Sequence, residues 1–387
     1  MYTFISLKNY ENINMSLKKL IVFFCFPVWV FSQNITVDSQ LFTPQQLIED
    51  VLVDSNCISN VQVTNFIGGD FGGVDQSYGY FNANGSNFPF EEGIVLSTGM
   101  LQNVPGPNSE LNGDSANDWE GDDDLEEILD NPNTITLNAT ILEFTFESIA
   151  SEVRFRYLFA SEEYQATNGQ TCIFSDAFGF LIREQGTDTF ENIALVPGTD
   201  IPVAVTTVHP EIPGECEAVN EFFFDTFNDA NDPNVAIDFN GQTTILEART
   251  LIEPNVTYEV KLVIADALDV ILDSAVFLEA GSFQLGTDLG EDRTILGDNP
   301  VCFGDSITLS ADEPSATAFQ WFRNGNILPE TSNELEVIEN GFYEVIITLG
   351  NGCEAFGEIT IEFDDTPVIL TNSSLNQCDL NLSLIHI

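Results

Sequence analysis

Acidic side chains beside the ends of apolar, alternating segments are the residues of this sequence best suited to chemistry. Asp122-Asp123-Asp124, Glu162-Glu163 and the acids of DALDVILD (266–273) all hold such positions. Ca²⁺ takes roughly six to eight oxygen ligands, largely carboxylates and carbonyls from loops, so these groups predict at least one calcium site. None matches the EF-hand pattern, and the alternative is that solvated acids keep the protein soluble. The predicted metal ligands are Asp122, Asp124, Glu162, Asp176, Asp266, Asp269 and Asp273.

Catalytic arrangements have little support in the sequence. His209 lies in the proline-flanked loop VHPEIPGE, where a solvated side chain is expected, and no GxSxG pattern is present, which argues against a Ser–His–Asp site. Glu162-Glu163 is the best pair for glycoside hydrolysis, but adjacent strand residues point to opposite faces and would not act together. The aromatic stretch at 78–90 could bind sugars, although core packing explains it as well. We expect no enzymatic activity.

The charge of the chain restricts its partners. Its 387 residues include 62 Asp+Glu against 10 Lys+Arg, a formal charge of −52. Such a chain repels phosphate backbones and anionic lipid surfaces, which argues against nucleic-acid binding and peripheral membrane docking. With 43% hydrophobic residues it can nevertheless build a sizeable core.

The elements that must position these acids are mostly strands. EVRFRYLFA (152–160) alternates with period two, placing Phe155 and its alternate neighbours on one face and Arg154 and Arg156 on the other. Helices are predicted at 44–53, capped by Thr43, and at Leu125–Leu129. The remaining segments, PVAVTTV (202–208) and NVAIDF (234–239) among them, are predicted as short strands separated by turns. The fold class is therefore all-β, a large antiparallel β-sandwich or jelly roll with a small Ig-like β-sandwich.

Composition changes divide the chain. Charge and glycine interrupt the strand pattern at Thr287–Gly297, and residues beyond 365 begin a module that stops short. The terminal LSLIHI resembles a translated sequencing adapter, so we expect the natural protein to continue. The predicted divisions are a signal peptide at 1–32, a large β domain at 33–290, an Ig-like domain at 298–363 and a truncated module at 366–387.

The small domain has Ig-like features. Trp321 occupies a core position, and Gly341-Phe342-Tyr343 is similar to the tyrosine corner of such domains. A Cys302–Cys353 bridge is predicted because both residues fall in this domain, where it would join ends of the domain rather than its two sheets. Cys172–Cys216 is predicted on the same ground, within the large domain. Cys57 and Cys378 have no obvious partners.

The N-terminus indicates export. Lys18 and Lys19 precede the apolar run Leu20–Phe31, and small Ser32 offers a cleavage point. Met15 is a second candidate for the true start, and an uncleaved anchor helix is the alternative to a cleaved signal. No other stretch reaches the ~18 apolar residues of a transmembrane helix.

Several motifs in a fixed order carry a family resemblance. They are YGYFNANGSNFPFEEGIVLSTG (78–99), GDDDL (121–125), RFRYLFASEEY (154–164), DAFGFLI (176–182), NIALVPGTDIPVAVTTV (192–208) and LVIADALDVILDSAVFLEAGSF (262–283). Together they closely resemble the choice-of-anchor L domain, over about residues 40–285. The resemblance implies an exported Bacteroidetes-type protein on the surface of a Gram-negative cell. It also implies Ig-like repeats after the domain, followed by a C-terminal type IX secretion signal. The secretion signal is not seen in this sequence, as expected if the sequence is truncated.

The sequence thus predicts an exported surface or secreted protein with a binding or adhesive role. Its partners would be an unidentified extracellular glycan or protein and the export machinery, with Ca²⁺ as a stabilising ion. The alternative is a carbohydrate-active protein that binds or cleaves polysaccharide.

Overall fold

Strands make up most of the regular structure, as their alternating sequences predict. The computed structural model describes residues 34–53, 57–73, 75–109, 111–129, 135–167 and 169–364. The predicted signal peptide, the module at 366–387 and Cys378 lie outside the described residues. Within the described residues, no helix is both long enough and apolar enough to cross a membrane.

Twenty-two strands are formed by the described residues. They are β1 (Thr36–Asp38), β2 (Ile58–Ile67), β3 (Tyr78–Asn82), β4 (Glu92–Ser97), β5 (Thr136–Ser148), β6 (Glu152–Ser161), β7 (Ala177–Glu184), β8 (Glu191–Asn192), β9 (Phe224–Phe227), β10 (Gly241–Thr243), β11 (Leu246–Leu251), β12 (Thr257–Ala267), β13 (Ser274–Glu279), β14 (Gln284–Gly286), β15 (Val301–Cys302), β16 (Ile307–Ser310), β17 (Ala316–Arg323), β18 (Asn326–Ile327), β19 (Glu334–Val337), β20 (Gly341–Leu349), β21 (Glu354–Ile361) and β22 (Phe363–Asp364).

Both predicted helices form, the first with an altered geometry. α1 (Pro44–Gln46) is a single α-helical turn that continues as a π-helix over Leu47–Val53. Thr43 Oγ1 accepts a hydrogen bond from the Gln46 backbone, and the Gln46 side chain accepts one from the Thr43 backbone, which is the predicted capping box. α2 (Asp123–Ile128) is capped by Asp122.

Two sheets pack face to face over an aromatic core. One has the strand order β2-β5-β12-β7-β8, and the other runs β1-β3-β4-β13-β6-β14 before continuing into the C-terminal strands. Phe155 and Tyr157 of β6 lie 4.9 and 4.8 Å, ring centre to ring centre, from Phe180 of β7 in the facing sheet. The all-β sandwich class is therefore confirmed, and strand-by-strand antiparallel pairing dominates it.

Two predicted strands are wrong. PVAVTTV (202–208) contains a 3₁₀ turn at Val205–Thr207, and NVAIDF (234–239) is irregular. Their alternate apolar residues are buried all the same. Because the Val205 backbone N–H donates to Ser175 Oγ at 2.8 Å, a side chain takes the place of a neighbouring strand.

The sheet continues across the expected boundary at Thr287–Gly297. β14 pairs in parallel with β21 at Gly286 and Phe356, and Thr287 N donates to Phe356 O at 3.1 Å. Buried Glu313 accepts hydrogen bonds from both the backbone and the hydroxyl of Ser151. The C-terminal strands are thus joined to the large domain by backbone pairing, and residues 34–364 lie in one compact unit.

One of the predicted disulfides is wrong. Cys353 is bonded to Cys57, 296 residues earlier in the chain, and not to Cys302. Cys302 is also disulfide-bonded. Cys172 is bonded to Cys216, the predicted partner. Pairing by nearness in sequence failed for Cys353 because the docked C-terminal strands bring its loop to the start of β2.

Candidate functional site

Five carboxyl groups are buried together at one end of the sandwich. Glu162 and Glu163 follow β6, Asp176 precedes β7, Asp266 lies near the end of β12 and Asp273 precedes β13. Because neighbouring strands run antiparallel, the end of one strand lies beside the start of the next. The end of β6 thus lies beside the start of β13, and the end of β12 beside the start of β7. We call these five residues the acid cluster.

Burial of the acid cluster is nearly complete. Glu162 and Asp266 are 0% exposed, and Asp273, Asp176 and Glu163 are 2%, 3% and 7% exposed. None of the five forms an ion pair with a basic side chain of the described residues. Burying an unpaired carboxylate is costly, so either protons or a cation must neutralise these groups.

Hydrogen bonds hold part of each carboxyl. Asp273 accepts from the Asp114 backbone at 2.9 Å, and Asp266 Oδ2 accepts from Asn138 Nδ2 at 2.7 Å. Glu163 Oε2 accepts from Ser161 Oγ at 2.7 Å. These bonds fix the orientation of the three groups.

Three buried carboxyl oxygens have no hydrogen-bond partner. They are Glu162 Oε2, Asp176 Oδ2 and Asp266 Oδ1. Native proteins leave few buried polar atoms unsatisfied, and each exception calls for an explanation such as a bound ion. In the described chain, no three carboxyl, thiol or imidazole groups already form a metal cage, so an ion could be held only after these side chains turn toward one another.

The protonation of the acid cluster is strongly shifted. Loss of hydration on burial raises the pKa of Glu162, Asp266 and Asp273 to about 8, because the charged form is disfavoured in a low-dielectric interior. Burial also raises the pKa of Glu163 to about 7 and that of Asp176 well above its ordinary value. Repulsion between Glu163, Asp176 and Asp266 adds to the effect on Asp176.

A glycine allows the close approach of Asp273. A Cβ atom built on Gly99 would lie 2.0 Å from Asp273 Oδ2, far inside van der Waals contact. The backbone after β4 therefore forms one wall of the acid cluster, and a larger residue there would have to displace the Asp273 carboxylate.

The structure separates the seven predicted ligands. Glu162, Asp176, Asp266 and Asp273 come together in the acid cluster. Asp269 is exposed beside it and accepts a hydrogen bond from Ile271 N. Asp122 and Asp124 lie elsewhere and bind Lys261 Nζ instead, Asp122 at 2.8 Å.

Two further acids were absent from the predicted set. Glu163 was expected on the opposite face from Glu162, but both follow the end of β6 in a turn, where strand alternation no longer applies. Asp114, in the loop NGDSAND, contacts Asp273 through its backbone, and nothing in its local sequence distinguishes it from other loop acids.

His209 is not the solvated loop residue expected from its prolines. It is 2% exposed, and its Nδ1 lies 2.8 Å from Pro210 O. Its backbone pairs with Val219. Its role is therefore structural.

The strands that position the acid cluster carry the motifs of the suggested family. A family model described as the choice-of-anchor L domain matches residues 36–284, from β1 to β14. The chain belongs to the choice-of-anchor L family. Membership places it among surface or secreted proteins.

Other comparisons add little to the choice-of-anchor L assignment. No curated protein matches the sequence significantly. Among solved structures, a β-1,2-glucanase from Parabacteroides distasonis aligns over 60% of this chain and 33% of its own length, with 6% identity and a TM-score of 0.16. A likeness this weak carries no argument about fold or activity.

Proposed function

We propose that this choice-of-anchor L protein is a non-enzymatic binding or adhesion protein exported to the cell surface, and that calcium stabilises it through the acid cluster. In this proposal residues 1–32 are a signal peptide, type IX secretion carries the protein out, and the C-terminal strands are an Ig-like spacer. The observation that carries the calcium site is the set of orphaned oxygens on Glu162, Asp176 and Asp266.

Calcium suits the acid cluster because of the kind of atoms it offers. Carboxylate and backbone oxygens are hard ligands, and Ca²⁺ accepts them in flexible geometry. A divalent ion would replace repulsion among five carboxylates by coordination. Asp176 precedes β7 and Asp266 lies in β12, and these paired strands are the elements that the ion would hold together.

Two features support the Ig-like spacer and the oxidising location. The Tyr343 hydroxyl donates to Glu339 O at 2.7 Å, which is similar to the bond of a tyrosine corner, and Trp321 is fully buried. Disulfides such as Cys172–Cys216 are typical of exported proteins.

Thermal unfolding of the full chain tests the calcium site. We expect millimolar Ca²⁺ to raise Tm and a chelator to lower it, because an ion that binds only the native state adds about 2.7 kcal/mol at a hundredfold excess over Kd. Asp266→Asn should reduce this response. Asp305→Asn, at an exposed acid outside the acid cluster, is the matched control and should leave it unchanged.

Sodium at equal ionic strength separates binding from screening. If sodium and calcium shift Tm equally, the acids act only as charge and the calcium proposal fails.

A hydrolysis assay tests the absence of catalysis. Glu162 and Glu163 are both too deeply buried to reach a polysaccharide as they stand, so we expect no release of reducing ends from any polysaccharide that the protein binds. Release that Glu162→Gln abolishes would establish the carbohydrate-active alternative instead.

A further inference from the structure

An arginine-rich groove lies on the outer face of β6 and β11, on the side away from the aromatic core. The described residues contain seven Lys and Arg, and three of these, Arg154, Arg156 and Arg249, stand on these two adjacent strands. Arg154 lies opposite Arg249 in the strand pairing, and Arg156 lies opposite Glu247. In a chain this acidic, such a concentration of basic groups is unusual.

The pairing of Arg154 with Arg249 places two positive charges side by side, next to the carboxyl groups of Glu152 and Glu247. Like charges directly opposite on neighbouring strands are destabilising. Arg154 Nη1 lies 3.8 Å from Glu247 and 3.8 Å from Glu358, which is too far for hydrogen bonds. Arg154, 8% exposed, is therefore held by two long ion pairs and not by hydrogen bonds to these glutamates.

Two adjoining cavities form the groove. One, of about 340 Å³, is lined by Arg249 and by Phe342 and Thr360 of the C-terminal strands. The other, of about 440 Å³, is lined by Arg154, Arg156 and Gln284. Glu247 and Glu358 line both cavities, so the two adjoin. The docking of β21 against β14 creates the groove, which neither part of the chain would have alone.

We propose that this groove binds an uncharged oligosaccharide. Three arginines face four acids, which are Glu247, Glu279, Glu358 and Asp292, so the groove has no strong net charge. The formal charge of −52 on the chain repels an anionic ligand, and a cationic ligand would have to displace the arginines that already pair with the glutamates of the groove. An uncharged ligand avoids both of these unfavourable interactions.

The chemistry of the groove fits sugar hydroxyls. Guanidinium and carboxylate groups form paired hydrogen bonds with two neighbouring donors or acceptors, and adjacent hydroxyls of a sugar ring offer such pairs. Phe342, 39% exposed, provides an apolar surface for a ring face. Two adjoining cavities suit a chain of sugars better than a single ring.

The proposal names a ligand class for the proposed binding role, and it is independent of the calcium site. The test is a panel of soluble neutral and acidic oligosaccharides, with affinities for the full chain measured by calorimetry. We expect a neutral oligosaccharide to bind and Arg249→Gln and Phe342→Ala each to weaken it at least tenfold. Arg249 is exposed, so its replacement should not disturb folding.

Arg183→Gln is the matched control. Arg183 pairs with Glu259 at 2.7 Å on the other sheet, outside the groove, so this variant should bind like the unmodified protein. No binding by any neutral oligosaccharide, binding by acidic ones alone, or equal affinity in the groove variants would overturn the proposal. Binding with cleavage would support the groove and defeat the proposed lack of enzymatic activity, whereas loss of the calcium effect on Tm would leave the groove untouched.

Discussion

We expect individual carboxyl groups of the acid cluster to determine how this protein responds to pH and to cations. Asp266 and Glu162 are fully buried, and each keeps one oxygen without a partner. Asp122, by contrast, is buried against the ammonium group of Lys261. The difference between these sites is the presence of a positive partner, which is why the acid cluster needs protons or an added cation and Asp122 does not.

Stability without calcium should fall as pH rises. The native pKa of Glu162, Asp266 and Asp273 is about 8, above the ordinary value of about 4, so the native state holds protons that the unfolded state releases. The resulting stabilisation is complete below pH ~4 and is lost as pH rises through ~8. In chelator, Tm should drop by several degrees between pH 6 and pH 9, and Asp266→Asn should flatten this slope. A Tm independent of pH in this range would contradict the shifted pKa values.

Calcium binding should release protons at pH 7. The acid cluster must lose the protons it holds before its oxygens can bind an ion. Titration calorimetry in Hepes and in Tris should therefore give different apparent heats, because the two buffers take up released protons with different enthalpies. Equal heats in both buffers would mean that calcium binds groups that are already ionised, away from the acid cluster.

At the scale of elements, strand ends and the turns after them build the site. The strand β12 has a register irregularity between Ile264 and Asp266, just where its last residues approach the acid cluster. The segment after β4 contributes Gly99, whose missing side chain leaves room for Asp273. The geometry of the acid cluster thus depends on the backbone of two strands as much as on its acids.

Gly99→Ala tests the contribution of this backbone. The added methyl group would overlap the Asp273 carboxylate, and we expect a loss of about 1–3 kcal/mol, typical of overpacking at a buried site, together with a weaker calcium response. Gly350→Ala is the control, because its new Cβ would lie 3.7 Å from its nearest neighbour, Ser315 O. Urea unfolding with and without calcium measures both effects. If the two alanine variants lose equal stability, the close approach of Gly99 to Asp273 does not contribute to the acid cluster.

At the scale of the whole molecule, the C-terminal strands are part of the same structure as the choice-of-anchor L domain. The parallel pairing of β14 with β21, the Glu313–Ser151 hydrogen bonds and the Cys57–Cys353 disulfide all connect them. Any Ig-like role as a spacer therefore begins from a rigid attachment, not from a free linker.

Removing the Cys57–Cys353 bridge should destabilise both parts together. The bridge closes a loop of 296 residues, and loss of a native disulfide costs roughly 2–5 kcal/mol. Urea unfolding of a Cys57→Ser, Cys353→Ser double variant should show a lower midpoint while remaining a single transition. Two separate transitions in the unmodified protein would show that the parts fold independently. Peptide mapping without reduction should recover Cys57 linked to Cys353.

The sequence by itself determined the class of the fold and the family. Alternation in EVRFRYLFA and the capping box at Thr43 are local patterns, and both formed as predicted. The ordered motifs identified the choice-of-anchor L family, and the acids beside strand ends included four members of the acid cluster. Such features depend on neighbours a few residues away, so they can be read without knowing the fold.

Only the tertiary structure decided which distant residues meet. Asp122 and Asp124 look like Asp266 in sequence, but the pairing of β12 with β5 and β7 brings Lys261 to them and leaves Asp266 without a cation. Cys353 met Cys57 rather than nearby Cys302, and the groove of Arg154 and Arg249 formed where β21 docks on β14. Contacts across hundreds of residues depend on strand order and register, which local alternation does not encode.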